Sequence, residues 1–270
     1  GIQAEETNTL EFIEEGILAH VVQEAGGIEA KIVVVPTASS IPVEVGENYT
    51  AAFKKLGCKD INILHILEQK DSEKPEAIAL IKDADCIMFS GGNQSKITER
   101  IANSTIHKIL IDRYRNDAGF VIAGTSAGAM AMATEMIAGG SSTEAFIKGA
   151  VYMKQGLGLI PELTIDTHFI QRGRFGRLSE AVAKFPHLLG IGLAEDTGLI
   201  IKNGTEFKVI GSGMVIVFDG QKLGHNNEKI LKEGTPMTMT NLTVHVLSNS
   251  DCYNIETRKV SVLPMDAPFV

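Results

Sequence analysis

Short runs of apolar, mostly β-branched residues alternate with longer amphipathic stretches through the first half of this chain. Four runs are typical of buried strands, at residues 31–35, 61–64, 86–89 and 120–123. Helical patterns lie around them, at residues 8–25, 47–56, 74–83, 95–117 and 127–138. Because parallel strands need a crossover between them, usually a helix, this rhythm predicts an α/β fold: a three-layer αβα sandwich with a mainly parallel sheet.

The chain changes character after residue 195. Strand patterns at residues 199–201, 206–210, 214–218 and 242–246 are separated by turn pairs such as Asn203-Gly204 and Asp219-Gly220. These turns predict an antiparallel C-terminal extension of the same sheet. Since no repeat, low-complexity tract or proline-rich linker divides the chain, we expect residues 1–270 to form a single domain.

The composition narrows the classes of partner. A net charge of -8 leaves no basic surface for nucleic acid or anionic lipid, and no run approaches the roughly 20 apolar residues of a membrane span. Three cysteines, Cys58, Cys86 and Cys252, lie far apart without the spacing of a metal site, and we expect them to be buried spacers. We therefore predict a small-molecule or peptide partner, with no metal and no organic cofactor.

The segment Gly124-Thr125-Ser126-Ala127-Gly128 follows a predicted strand and precedes a helical pattern of small residues. A sharp strand-to-helix turn strains its central residue, and the residues two positions away must lack bulky side chains, as Gly124 and Gly128 do. Such a turn raises the serine hydroxyl above the carboxyl ends of the strands. We interpret Ser126 as a nucleophile; a glycine-rich turn without chemistry is the alternative.

A serine hydroxyl needs a base to take its proton, and histidine suits that task near neutral pH. Of the seven histidines, His168 stands out because it follows a short strand pattern and precedes the arginine-rich segment 171–177. Within that segment Arg174 and Arg177 are three residues apart, so on a helix they share a face and could together bind a carboxylate. A solvated, basic helix start is the alternative interpretation.

The base in turn needs a carboxylate that orients it, and the apolar run before residue 195 ends in two acids, Glu195 and Asp196. Strand alternation sends one side chain inward and the next outward. We assign the inward position to Glu195, as the acceptor of the imidazole Nδ1–H. Asp196 is left outside the triad, because capping of the strand-end turn explains it.

A second glycine motif, Gly91-Gly92, follows the strand at 86–89 and precedes a helix. Ligands of open parallel sheets bind beyond the carboxyl ends of the strands, so this loop and the turn at Ser126 should border one crevice. The backbone N–H groups of Gly92 and Ala127 are therefore candidate donors of an oxyanion hole, and Gln94 could bind polar atoms of a substrate.

Four segments together resemble the cyanophycinase family of serine peptidases, family S51, which is related to the dipeptidase that cleaves after aspartate and has the class I glutamine amidotransferase-like fold. The segments are Phe89-Ser90-Gly91-Gly92-Asn93-Gln94, Gly124-Thr125-Ser126-Ala127-Gly128-Ala129, Asp166-Thr167-His168-Phe169 with Arg172-Gly173-Arg174-Phe175-Gly176-Arg177, and Gly192-Leu193-Ala194-Glu195-Asp196-Thr197. They occur in the family's order and span most of the chain. The resemblance implies a single serine exopeptidase domain with Ser126 as nucleophile, His168 as base and Glu195 as its partner. It also implies a substrate pocket lined by Gln94, Asp166, Arg174 and Arg177, with Thr167 where the family has glutamine.

The family's substrate is cyanophycin, a polyaspartate whose β-carboxyls carry arginine, and its product is the β-aspartyl-arginine dipeptide. The resemblance implies that Arg174 and Arg177 bind the free carboxylate of a β-linked aspartate and that Asp166 faces the guanidinium. Thr167 is shorter than glutamine, so we expect a different substrate pocket. The family also begins with a strand just upstream of Gly1. We therefore expect the start of the fold, and any secretion signal, to lie outside this sequence, which leaves cytoplasm and secretion both open.

Other functions fit parts of the same pattern. A small dipeptidase acting on α- or isoaspartyl peptides would use the same triad with a smaller pocket. A catalytically silent relative would bind an acidic peptide without cleaving it, because a fold does not guarantee its function. A glutamine amidotransferase is disfavoured, because such an enzyme normally has cysteine at the centre of this strand-to-helix turn, the nucleophile elbow, where this chain has Ser126. The oligomeric state stays open, with a homodimer as one option.

Overall fold

The computed structural model describes residues 16–141, 144 and 146–263. The helices are α1 Ile17–Glu24, α2 Pro42–Lys55, α3 Pro75–Asp83, α4 Gln94–Ile101, α5 Thr105–Asn116, α6 Ala127–Met130 and α7 Phe175–Lys184, with a 3₁₀ helix at Gln69–Glu73. The strands are β1 Lys31–Val35, β2 Asp60–Ile63, β3 Cys86–Phe89, β4 Val121–Gly124, β5 Glu135–Gly140, β6 Val151–Gln155, β7 Leu163–Thr167, β8 Leu189–Leu193, β9 Thr197–Lys202, β10 Glu206–Gly211, β11 Val215–Asp219, β12 Thr243–Leu247, β13 Cys252–Asn254 and β14 Lys259–Ser261. The first part of the helix predicted at 8–25 lies outside the described residues.

Strands β1 to β4 form a parallel sheet in the order β2-β1-β3-β4. Alternate side chains of β1 and β3 point to opposite faces, as the period of a strand requires. On one face Val33 and Ile87 pack with apolar residues of α3, α4 and α5. On the other, Val34 and Met88 pack with residues of α1 and α2. The predicted sandwich of helices on both faces of a parallel sheet is therefore confirmed.

The antiparallel strands predicted after residue 195 are also present, but they do not extend this first sheet. In the described part of the chain, β11 and β12 join β7 and β8 in the order β12-β11-β8-β7. Strands β9, β10, β13 and β14 form another sheet in the order β14-β13-β10-β9. The antiparallel strands form separate sheets because β11, which is buried along its whole length, pairs antiparallel with β8 and not with a strand of the first sheet. Strand β4 thus lies at the edge of its own sheet.

Two predicted helices differ from the structure. The pattern at 95–117 forms two helices, because Asn103 adopts a left-handed φ of 64° and the Ser104 hydroxyl then caps α5 by accepting the His107 N–H at 3.1 Å. The pattern at 127–138 ends as a helix at Met130. Its second half forms β5, which is paired with β6 instead.

The carboxyl ends of three strands converge and carry the candidate catalytic residues. Ser126 follows β4, His168 follows β7, and Glu195 lies two residues beyond β8. Strands β7 and β8 are parallel with Thr167 opposite Leu193, so the segments that follow them begin side by side. Among the described helices, none combines the length and apolar character needed to cross a membrane.

Candidate active site

Ser126 lies in the sharp turn between β4 and α6, with φ 50° and ψ -108°. A side chain at Gly124 would place its Cβ 2.5 Å from the backbone carbon of Gly128, and one at Gly128 would lie 2.5 Å from the Phe89 carbonyl oxygen. The turn therefore excludes side chains at both glycines, as the sequence predicted. A non-glycine residue at positive φ is strained and needs such close surroundings to hold it.

The three residues of the predicted triad lie within hydrogen-bonding distance. Ser126 Oγ is 3.0 Å from His168 Nε2, and His168 Nδ1 is 3.0 Å from Glu195 Oε1. An ionised carboxylate can only accept hydrogen bonds, so the imidazole proton belongs on Nδ1. Nε2 is then the acceptor that faces the serine hydroxyl. The arrangement can take a proton from Ser126, which is what a general base must do.

The backbone conformation near His168 and near Glu195 helps to orient the imidazole and the carboxylate. His168 has a φ of 51° and Asp196 a φ of 53°. The Phe169 N–H donates to the Leu193 carbonyl at 3.0 Å, which ties the residue after the histidine to the end of β8. Non-glycine residues with positive φ occur often at active sites; here His168 belongs to the predicted triad and Asp196 directly follows its carboxylate residue.

The second glycine motif lies beside Ser126, the predicted nucleophile. A Cβ on Gly91 would be 3.6 Å from the Ser126 Cβ. Gly92 has a φ of 137°, and a side chain there would place its Cβ 2.3 Å from the Ala38 carbonyl oxygen, so only glycine fits. Ala127 follows Ser126 as the first residue of α6. Gly91, the neighbour of Gly92, therefore approaches Ser126 from a second loop, and the role of Gly92 and Ala127 as oxyanion donors stays a prediction.

Asp166 does not occupy the position that the resemblance implied. Its carboxylate is fully buried and binds Arg177 through two hydrogen bonds, of which Arg177 Nε to Oδ2 measures 2.8 Å. Arg174 Nη1 donates to the same carboxylate at 2.9 Å and to the Thr167 carbonyl at 2.7 Å. Asp166 therefore has no exposed oxygen for a substrate guanidinium, and Arg177, with 7% of its side chain exposed, is committed to the same ion pair.

Arg174 differs from Arg177 because 14% of its side chain stays exposed. Burial lowers the pKa of its guanidinium, and the charge of Asp166 partly offsets that effect.

Gln94 begins α4 and donates through Nε2 to the Ile137 carbonyl at 2.8 Å. Thr167 lies at the end of β7, with its hydroxyl 3.3 Å from Ser126 Oγ. Of the five residues predicted to line the substrate pocket, Thr167 is the one in contact with the triad.

Tyr49 belongs to the same site, although its sequence position does not reveal it. It lies on α2, and its hydroxyl donates to Thr125 Oγ1 at 2.7 Å, on the residue before Ser126. Burial raises the pKa of the Tyr49 hydroxyl. A tyrosine within an amphipathic helical pattern gives no signal of such a contact, because the contact depends on how α2 packs over the end of β4.

A cavity of about 730 Å³ opens at the triad. It lies between α1, the edge of β4 and strand β9, and most of its walls are apolar. Its acidic lining residues are Glu24, Glu195 and Asp196, and the described residues that line it include no lysine or arginine. The electrostatics of this cavity therefore favour a cationic group with an apolar stem.

Nothing in the described ranges gathers three or more histidine, cysteine, aspartate or glutamate side chains into a potential metal site. Cys58 and Cys86 are buried and Cys252 is partly buried; none lies in the turn at residue 126. Ser126 is thus the candidate nucleophile in the turn between β4 and α6.

The chain is similar to one known family over most of its length. The model of peptidase family S51 matches residues 4–209. The cyanophycinase of Trichormus variabilis is 36% identical over 236 residues, which cover 87% of this chain and 79% of that protein. The cyanophycinase of Geminocystis herdmanii is 35% identical over 236 residues, covering 87% and 86%. That of Synechococcus elongatus is 33% identical over 247 residues, covering 90% and 76%.

A solved structure shares the fold. The peptidase from an acI-B1 Actinobacterium aligns over 92% of this chain and 94% of its own, with a TM-score of 0.61 and 20% sequence identity. At that identity the likeness establishes the architecture alone.

Proposed function

This chain belongs to peptidase family S51 and is a hydrolase of the serine-exopeptidase type, and on that premise we propose that it cleaves cyanophycin, or related β-aspartyl-arginine peptides, through Ser126, His168 and Glu195. The observation that carries the proposal is the pair of 3.0 Å contacts that link the serine, the imidazole and the carboxylate. A triad is recognised by this geometry and not by the order of its members along the chain.

In the acylation step the Ser126 oxygen attacks the carbonyl carbon of the scissile amide, and His168 Nε2 takes the hydroxyl proton. The negative charge that develops on the carbonyl oxygen is stabilised by the N–H groups of Gly92 and Ala127. The C–N bond then breaks, and His168 returns its proton to the leaving amine. Glu195 holds the imidazole in the tautomer that both transfers need.

In the deacylation step a water molecule attacks the acyl-enzyme, and His168 takes one of its protons. The bond between the acyl carbon and Ser126 Oγ breaks, the proton passes to the serine oxygen, and the carboxylic acid product leaves. Atoms and charges balance with water as the second substrate.

The shape and charge of the cavity support an arginine-bearing substrate. An arginine side chain has an apolar stem that can lie along apolar walls and a guanidinium that seeks carboxylates. Glu24 and Asp196 line the cavity. They are our candidates for binding the substrate guanidinium, the role that the resemblance implied for Asp166. Arg174, which keeps partial exposure beside Thr167, remains our candidate for the free carboxylate of the aspartate.

The test is to incubate the protein with purified cyanophycin and to follow soluble products by mass spectrometry. Release of β-aspartyl-arginine supports the proposal, and Ser126→Ala should lose at least about a thousandfold in rate. Ser261→Ala is the matched control, since this exposed serine lies on β14, at the far edge of its sheet from β9. If the protein cleaved α- or isoaspartyl dipeptides but not the polymer, its substrate would be the dipeptide and not cyanophycin, and the proposed triad would stay the same.

A further inference from the structure

The hydroxyl of Thr167 contacts the candidate nucleophile from a second strand. Thr167 is the last residue of β7, directly before His168, and only 5% of it is exposed. Its Oγ1 lies 3.3 Å from Ser126 Oγ and 3.5 Å from the sulfur of Met130. Two acceptors therefore compete for the proton of this buried hydroxyl, the oxygen of Ser126 and the sulfur of Met130.

The direction of that contact follows from counting protons. Glu195 fixes the imidazole proton on His168 Nδ1, so Nε2 can only accept, and the proton of Ser126 points to Nε2. The serine oxygen is then left with lone pairs alone towards Thr167. The Met130 thioether is likewise only an acceptor. The Thr167 hydroxyl can therefore act only as a donor in this environment, and Ser126 Oγ is the nearer and stronger acceptor.

We propose that Thr167 is a further catalytic residue, which donates a hydrogen bond to Ser126 Oγ and so acts on the nucleophile. This assignment rests on the proposed function, because it requires Ser126 to be the attacking residue. Thr167 also lines the cavity at the triad, as the resemblance implied, and the assignment adds a role on the nucleophile to that position.

The donated hydrogen bond has two consequences for the reaction. It engages one lone pair of the serine oxygen while the proton faces His168, so the remaining lone pair is held in a defined direction for attack. In deacylation Ser126 Oγ is the leaving group and gains negative charge, and a hydrogen bond to a charged acceptor is stronger than one to a neutral acceptor. Both effects raise the rate of the chemical steps and leave substrate binding unchanged.

Strand β7 supplies its own matched control. Thr164 has the same side chain, is fully buried, and its hydroxyl is one of the few buried polar atoms in the described residues without a hydrogen-bond partner. Three positions apart on a strand, Thr164 and Thr167 point to opposite faces. Thr164→Val thus makes the same change of hydroxyl to methyl on the same strand without touching Ser126.

The experiment measures the second-order rate of fluorophosphonate inactivation and the steady-state constants for cleavage of cyanophycin. We expect Thr167→Val to slow inactivation by about fivefold, the effect of one hydrogen bond, and to lower kcat by at least that factor with KM within about twofold. Thr167→Ser keeps the donor and should retain both rates within about twofold. Thr164→Val should match the wild type in both assays.

Several results would overturn the assignment. Wild-type rates in Thr167→Val, or a raised KM with unchanged kcat, would place Thr167 in substrate binding or in packing. Thr167→Ala provides a second variant without the hydroxyl if the valine variant does not fold, and it should show the same loss of rate. Failure of the proposed function has a different signature: the wild type would not react with the fluorophosphonate, or Ser126→Ala would still be labelled.

Discussion

Glu195 holds the imidazole of His168 with a single contact of 3.0 Å, although 49% of its side chain is exposed to solvent. We expect Glu195→Gln to lower kcat by roughly a hundredfold, because an amide can turn its NH₂ group towards Nδ1 and favour the tautomer that cannot accept the serine proton. The loss should fall on kcat and leave KM close to its original value, as steady-state kinetics would show.

Asp196→Asn is the control for that variant, since it removes the same charge one residue further along. The contact to His168 Nδ1 comes from Glu195, so Asp196→Asn should keep kcat within about threefold while KM for an arginine-bearing substrate rises. Equal losses of kcat in the two variants would mean that the negative charge near the site matters, and not the orientation of the imidazole.

The sequence predicted that Ser126, His168 and Glu195 lie close together, because that closeness depends on local geometry; their catalytic roles stay predictions. Ser126 was predictable because its turn demands glycine on both sides, and His168 and Glu195 because each follows a strand that ends at the same edge of the sheet. The environment of Asp166 was not predictable, because its burial depends on where α7 packs. Spacing showed that Arg174 and Arg177 share a helix face, but not that this face points at a buried carboxylate.

At the scale of single elements, the turn between β4 and α6 makes a sharp prediction. Gly124→Ala should destabilise the fold by about 2 kcal/mol and lower kcat by roughly a hundredfold, because the new Cβ would lie 2.5 Å from the backbone of Gly128 and must displace the turn that holds Ser126. Gly139→Ala is the control, since a Cβ at Gly139 meets nothing within 4 Å. Denaturant titrations and kinetics measure both effects.

The link between β7 and α7 is a buried ion pair, and its removal should cost stability. Asp166→Asn leaves the buried guanidinium of Arg177 without its counter-charge, and we expect the free energy of unfolding to fall by about 3 kcal/mol. Asp83→Asn at the exposed pair with Lys31 should change little. If Asp166→Asn kept full stability and instead raised KM alone, Asp166 would contact substrate after all.

Elements with strong local signals were predicted best. Strands β1 and β3 match their predicted bounds, because a short run of apolar residues bounded by turns is the pattern of a buried parallel strand. The helix expected at 127–138 was wrong in its second half, where residues 135–140 pair with 151–155. Such a pairing joins residues about fifteen positions apart, and helical propensity in one segment cannot reveal it.

At the scale of the whole molecule, we propose that residues 1–270 form one cooperative domain, and the cysteines report on it. Burial raises the pKa of all three thiols, that of Cys86 to about 12, so the reactive thiolate is scarce at pH 8. We expect a disulfide reagent such as DTNB to modify at most Cys252 in the native protein, because Cys58 and Cys86 lie in the core beneath α1 and α2.

Addition of denaturant should expose Cys58 and Cys86 together, over the same concentrations at which circular dichroism is lost. Reaction of either thiol well before that transition would show that the layer of α1 and α2 opens independently, and the chain would then not be one cooperative unit.

Whether Ser126 is the attacking residue is measured most directly by locating a covalent fluorophosphonate adduct through tandem mass spectrometry of peptides from the labelled protein. We expect one adduct, on the hydroxyl of Ser126, and none on Ser126→Ala. An adduct on any other side chain, or an unlabelled wild-type protein that still releases dipeptide from cyanophycin, would contradict it.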